Sequence, residues 1–515
     1  MAWPFSHSSS MCISLLLLLL LLLLVSLASQ SCNGLNSFGF DIHHRFSDPV
    51  KGIMGIDMLP QKGTREYYVA MAQRDRIFRG RRLAGDHQTP LTFAAGNITY
   101  QIGSFGFLHF ANVSVGTPAL SFLVALDTGS DLFWLPCNCT TSCVKGLKES
   151  NGEVIPFNIY DLKGSSTGQN VLCGNSLCEQ QSQCPSSSDT CRYQVNYLSN
   201  GTSTTGFLVE DVLHLITDND QAKDSNTAIT FGCGQNQTGA FLDGAAPNGL
   251  LGLGMRNVSV PSILANKGLT SNIFSMCFGS DGSGRITFGD NGNLDQGKTP
   301  LNLWASDPTY NITITQLIVG GNVADIEFHA IFDSGTSFTS LTDPSYAQIT
   351  QSFDSLIKLK RNSSSGADIP FEYCYDISPN QTIEGPSLNL TMKGGDSYFI
   401  IDPTVTVIIG EHAALLCLAI MKSDNVDIIG QNFMTGYRVT FDRENMFLGW
   451  KESNCYDDEL SNLPINQSHS PAVSPALAVN PEATSNPSND PPNHSFQIKP
   501  ASVFMMASFL LLAIL

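Results

Sequence analysis

The sequence predicts a mostly β protein made of two related halves, and three observations lead there. Many short runs rich in Val, Ile, Phe and Thr alternate with Gly, Asn, Asp and Ser turns, as in Arg285-Ile286-Thr287-Phe288 and Tyr437-Arg438-Val439-Thr440-Phe441. Such runs bounded by turn residues read as strands. Long amphipathic helices are scarce. One short device also occurs twice: Phe122-Leu123-Val124-Ala125-Leu126-Asp127-Thr128-Gly129-Ser130, and roughly two hundred residues later Ala330-Ile331-Phe332-Asp333-Ser334-Gly335-Thr336.

The chain opens with an apolar run from Ile13 to Leu27 that contains ten consecutive leucines, followed by the small residues of a cleavage site at Ser26-Leu27-Ala28. This reads as a secretory signal peptide at 1–28. No Lys or Arg precedes the run, so an uncleaved anchor is the alternative, although the run is short for a membrane span of about 20 residues. Residues 29–95 follow as a separate segment. Glu66 to Arg74 reads helical, and basic residues continue at Arg76, Arg79, Arg81 and Arg82. Residues 29–95 hold nine Lys/Arg and six Asp/Glu, a balance of +3, which leaves −21 on the rest of a chain whose total is −18. A basic leader on an acidic body fits an electrostatic clasp that weakens as carboxylates protonate. The acidic total argues against a nucleic-acid partner.

In each copy of the device, an apolar strand feeds an acid into a tight turn. A carboxylate there is either buried at a cost or used. A lone Asp-Thr/Ser-Gly is most simply a turn in which Asp bonds its own backbone. Two copies suggest two halves that each bring one carboxylate, Asp127 and Asp333, to a shared site. Two carboxylates about 3 Å apart cannot both ionise and share one proton. One acid and one base are then present together, which suits hydrolysis of a peptide bond by an activated water. No metal or other cofactor is needed. Gly129 and Gly335 permit a turn too tight for a Cβ.

Fourteen cysteines are present: Cys12, Cys32 and twelve from Cys137 to Cys455. In a secreted chain these imply up to six disulfides. The cluster Cys137, Cys139, Cys143, Cys173, Cys178, Cys184 and Cys191 also admits a zinc reading. Its spacings are irregular and no His is interleaved, so bridges are favoured. Twelve Asn-x-Ser/Thr sequons, from Asn97 to Asn493, predict a glycoprotein.

Each device is followed downstream by an apolar-apolar-Gly run, Leu250-Leu251-Gly252 and Ile428-Ile429-Gly430. The combination resembles the pepsin-like aspartic proteases over about residues 106–455. It implies their bilobal fold, with the active site in the cleft between a lobe at 105–290 and a lobe at 291–456. It further implies that each apolar-apolar-Gly run crosses beside a catalytic loop, that Asp127 and Asp333 are the catalytic dyad, and that Thr128 and Ser334 lock the two loops together. Ser130 and Thr336 would donate to the outer carboxylate oxygens. A flap hairpin with a Tyr near its tip belongs to the same pattern. Tyr197 is the candidate, with Tyr193 as runner-up, and Trp134 would donate its indole N–H to that Tyr. Family form is Tyr-Gly where this chain has Tyr197-Leu198, and Asn200-Gly201-Thr202 places a sequon at the expected tip. Cys374 and Cys417 match a bridge common in second lobes of the family. Residues 29–95 would be an inhibitory prosegment whose Lys or Arg pairs with the dyad, and Arg81-Arg82 offers a processing point.

Within the family, the Cys-rich insert after Asp127, the stretch Phe231-Gly232-Cys233-Gly234 and the lack of a saposin-like insert resemble the plant atypical, nepenthesin-like branch. Asp127-Thr128-Gly129-Ser130-Asp131-Leu132-Phe133-Trp134-Leu135-Pro136-Cys137 looks like its membrane-anchored members.

After residue 456 the composition shifts to Asn, Pro, Ser and Ala, which predicts a flexible stalk at 457–490. Residues 491–515 pair a largely polar spacer, Pro491 to Pro500, with an apolar tail, Ala501 to Leu515. That reads as a glycosylphosphatidylinositol (GPI) attachment signal, with Ser488 or Asn489 as the attachment residue. The expected protein is a monomeric aspartic endopeptidase. It would act on proteins or peptides at acid pH, on the outer face of the plasma membrane. The alternatives are a catalytically weak, protease-like binding or inhibitor protein of the cell wall, for which both devices would not need to be intact, and a structural wall glycoprotein.

Overall fold

Apolar strands covered on both faces form the middle of the molecule. In Leu120–Asp127 every residue from Phe122 onward is buried, without alternation, as in strands enclosed by other layers. The structure is a computed structural model that describes residues 37–44, 47, 62–78, 92–95 and 98–101 and, with short internal gaps, 109–455. The expected signal peptide, stalk and attachment signal, with Ser488 and Asn489, lie outside the described residues, as do Arg79, Arg81 and Arg82.

The fold is mostly β. Among the described residues the largest sheet has 14 strands. One end holds the hairpin of Arg192–Asn196 and Ser203–Ile216, continued by Asp224–Thr238. The sheet then runs through Trp134–Pro136, Leu250–Gly252, Leu120–Asp127 and His109–Val115. Next comes the N-terminal strand Phe38–His44, inserted between His109–Val115 and Ser283–Phe288. Beyond it lie Ile273–Phe278, Tyr437–Asp442, Phe447–Glu452 and Gly297–Pro300. Strands from both ends of the body therefore share one sheet. A second sheet of seven strands carries Asn311–Val319, Asn322–Phe332, Thr339–Leu341 and Ile428–Ile429. Cys374–Ile377, Ala413–Leu418 and Thr404–Gly410 form a separate three-stranded sheet.

Both halves contain the same crossing. Leu250, Leu251 and Gly252 run parallel to Ala125, Leu126 and Asp127, while Leu250 also pairs antiparallel with Trp134. Ile428 and Ile429 run parallel to Ile331 and Phe332, and Ile428 pairs antiparallel with Ser340. The terminal glycine of each run is fixed by contact: a Cβ on Gly252 would lie 2.3 Å from the carbonyl of Asp131, and one on Gly430 2.6 Å from the carbonyl carbon of Phe338.

All twelve body cysteines are bridged: Cys137–Cys233, Cys139–Cys143, Cys173–Cys184, Cys178–Cys191, Cys277–Cys455 and Cys374–Cys417. The sulfurs of Cys173, Cys178 and Cys184 lie within 4.8 Å of one another. Each is spent in a disulfide, so the cluster offers no thiolate to a metal. Among the sequons, Asn112 and Asn257 are exposed, whereas Asn311 is 5% exposed and its Oδ1 accepts from Asn302.

Candidate active site

Each device ends its strand in the same loop. At the first, the Gly129 amide donates to Asp127 Oδ1 at 2.9 Å and the Ser130 hydroxyl to Oδ2 at 2.6 Å. At the second, the Gly335 amide donates to Asp333 Oδ1 at 2.8 Å and the Thr336 hydroxyl to Oδ2 at 2.6 Å. Backbone bonds from the crossing runs hold both loops: the Leu253 amide to the Asp127 carbonyl at 2.9 Å, and the Asp333 amide to the Ile429 carbonyl at 3.1 Å.

The loops meet. The Ser334 amide donates to Thr128 Oγ1 at 3.1 Å, and the two hydroxyls lie 3.3 Å apart, all buried. Buried bonds of this kind contribute about 1 kcal/mol each and cost more when one partner is left alone. The two carboxylates face one space: a Cβ on Gly335 would lie 3.0 Å from Oδ1 of Asp127 and 3.0 Å from Oδ1 of Asp333. Two carboxylates, each with one oxygen turned inward and the other held by a hydroxyl, can share a proton and hold a water between them.

Tyr197 and Trp134 come together beside Asp127 and Ser130. The Trp134 indole donates to the Tyr197 hydroxyl at 3.0 Å, and the Tyr197 amide closes the hairpin by donating to the Thr202 carbonyl at 2.9 Å. Burial raises the Tyr197 phenol well above its ordinary value and the charge of Asp127 adds to this, while bonds to Trp134 and Ser130 pull the other way. The phenol is therefore neutral and able to donate. Tyr193 points elsewhere. It is buried against Gly232, where a Cβ would meet its ring at 2.7 Å, and its hydroxyl bonds Thr204 at 3.0 Å. Asn200 lies outside the described residues.

One neighbour was not legible in the sequence. Phe241 is fully buried and packs edge-on against both Trp134, at 5.0 Å between centroids, and Tyr197, at 4.9 Å. It lies in a short turn, Gly239–Phe241, with no motif to mark it.

The N-terminal helix Arg65–Phe78 enters the same apolar cluster. Its Tyr67, Tyr68, Met71 and Ala72 are buried in one group with Trp134, Phe338 and Phe371, against which Tyr197 packs. Tyr68 meets the rings of Phe338 and Phe371 at 6.3 and 6.1 Å. Lys62, just before the helix, donates to the Ser280 carbonyl at 2.9 Å, a contact with the body and not with the carboxylates.

Comparison with known proteins agrees with this geometry. The xylanase inhibitor N-terminal family profile matches residues 109–290, and the xylanase inhibitor C-terminal profile matches 309–452. "Aspartyl protease family protein 1" of Arabidopsis thaliana is 54% identical over 94% of this chain and 94% of its own length. "Aspartic proteinase nepenthesin-1" of Nepenthes gracilis is 30% identical over 67% of this chain and 78% of its own. Among solved structures, basic 7S globulin from soybean has the same fold, with a TM-score of 0.53 and 22% identity over 70% of this chain and 96% of that one. The chain belongs to the plant atypical, nepenthesin-like branch of the pepsin-like aspartic proteases.

Proposed function

We propose that the protein is an aspartic endopeptidase of the cell surface, made as a precursor and active at acid pH. Asp127 and Asp333 share one proton. The ionised partner takes a proton from the water between them, and that water attacks the scissile carbonyl. The protonated partner donates to the developing oxyanion, and a proton then passes to the leaving amine. Tyr197 closes over the substrate with its phenol held by Trp134. Substrates are proteins or peptides with bulky apolar residues at the scissile bond. Residues 29–95 act as the inhibitory leader, a role supported by the burial of Tyr67, Tyr68, Met71 and Ala72.

The observation that carries this reading is the pair of matched carboxylate loops, tied to one another by Thr128 and Ser334. A protein that only bound or inhibited a partner would have no use for both inward oxygens, each backed by a Gly amide, or for both hydroxyl donors. The family profile bears the name of an inhibitor, but the intact loops favour catalysis.

A proteolysis assay at acid pH on the secreted body, with and without a statine-type inhibitor, tests the reading. Hydrolysis that the inhibitor suppresses supports it, and hydrolysis indifferent to the inhibitor contradicts it. The lipid tether is tested separately. A phosphatidylinositol-specific phospholipase should release the protein from intact cells, and a mature protein that retains Leu515 rules the tether out.

A further inference from the structure

The N-terminal strand Phe38–His44 stands between two strands of the body, so its own end decides how easily it leaves. That end carries two facing histidines. His44 lies opposite His109 in the strand register, and their rings meet edge to face at 5.5 Å. His109 is 3% exposed and His44 7%. The other side of His109 meets Phe278 at 5.1 Å, and His44 meets Tyr67 of the N-terminal helix at 6.0 Å. Four rings from four elements thus pack together, and both N-terminal elements take part. The backbone draws close as well: the His44 amide donates to the Gly282 carbonyl at 2.8 Å.

We propose that His44 and His109 form an acid-sensitive latch that holds the N-terminal segment to the body at neutral pH and lets it go as the pH falls. The proposal rests on reading residues 29–95 as a removable leader.

The physical reason is proton linkage. A neutral imidazole packs among aromatic rings, whereas an imidazolium needs water or an acceptor. Among the described residues, Nδ1 of His109 and Nδ1 of the adjacent His43 have no hydrogen-bond partner. Burial pushes His109 down to about 3, and the neighbouring His43 adds to this. Burial also lowers His43, against the pull of Asp41. Once the strand has left, an imidazole returns to its ordinary value of about 6.5. The docked state therefore binds fewer protons than the released state between those limits. Docking is complete above about pH 6.5 and weakens as the pH falls, by up to tenfold per unit for each imidazole set free.

The surrounding charges do not reverse this. Asp41 is paired with Arg285 at 3.2 Å on the outer side of the strand. A cavity of about 300 Å³ beside His44 is lined by Lys62 and Asp402 among charged residues. Lys62 carries the same sign as an imidazolium, and Oδ1 of Asp402 already accepts from the Thr404 amide and hydroxyl. The phenol of Tyr68, on the same wall, is raised by burial and stays neutral. A clasp of carboxylates would respond only near their ordinary values of about 4. The histidine pair opens the segment about two units earlier.

The test is amide hydrogen exchange on the full chain carrying Asp127→Asn, which prevents self-processing and separates docking from catalysis. Exchange at Phe38–His44 and His109–Val115, corrected for the intrinsic effect of pH, is followed from pH 7.5 to 4.5. Protection should fall about a hundredfold between pH 6.5 and 4.5. In His109→Phe, which keeps a ring in the space, and in His109→Gln, the fall should shrink to tenfold or less. His329→Gln, in the seven-stranded sheet, should behave as the parent. If His109→Gln does not fold, His109→Phe decides alone. Protection that is flat across this range in the parent, or a His109→Phe curve that follows the parent, overturns the latch. Either result leaves the catalytic reading untouched, just as absence of proteolysis would leave the latch standing.

Discussion

A single methyl group is enough to probe the carboxylate pair. At Gly335 a Cβ would press on the inward oxygen of each Asp at 3.0 Å, tighter than ordinary van der Waals contact. The oxygens must then move apart, and a water can no longer bridge them. Gly335→Ala should lower kcat at least about a hundredfold, about 3 kcal/mol in the barrier, while the melting temperature changes little. Steady-state kinetics and a thermal melt check this, and a variant that keeps more than a tenth of the parent kcat contradicts it. Asp127, Asp333 and their hydroxyl donors were legible in the sequence because each lies within three residues of the carboxylate it serves. The choice between Tyr193 and Tyr197 was not, because strand alternation admits both. The hairpin turns Tyr193 onto Gly232 and Tyr197 onto Trp134. Phe241 meets its partners only through the folded chain and leaves no local signal.

At the scale of elements, the mostly β content and the two strands that end in Asp127 and Asp333 could be read from runs of Val, Ile and Phe, since strand formation follows local pattern. Strand order could not. The insertion of Phe38–His44 between His109–Val115 and Ser283–Phe288 depends on partners far away in the chain. Disulfide pairing has the same character, because spacing alone does not choose among the possible connections. One pairing has a clear consequence. Cys137–Cys233 closes a separation of 96 residues and ties Trp134–Pro136 to the strand Asp224–Thr238, with which it pairs in parallel. In the chain-entropy account, such a bridge contributes about 4–5 kcal/mol, against about 2 kcal/mol for the four-residue Cys139–Cys143 link. Replacing both Cys137 and Cys233 by Ala should destabilise the protein more than replacing Cys139 and Cys143. Equilibrium denaturant unfolding measures the difference, and equal losses would contradict the ordering.

For the whole molecule, the charge split between a basic leader and an acidic body and the His44–His109 pair point the same way. On the proposed reading of residues 29–95 as a leader, both favour a closed precursor at neutral pH and an open one in acid, the range in which a dyad can hold a single proton. The strand Phe38–His44 and the helix Arg65–Phe78 bury aromatic side chains in the same cores as the strands that carry Asp127 and Asp333. The central claim is that Asp127 and Asp333 act as one device, each useless without the other. The measurement that tests it most directly is peptide hydrolysis at acid pH by the processed protein and by its Asp127→Asn and Asp333→Asn variants, with folding checked by circular dichroism. The account predicts that each variant folds and that each loses hydrolysis to below a few per cent of the parent rate. Substantial hydrolysis by either folded variant would contradict it.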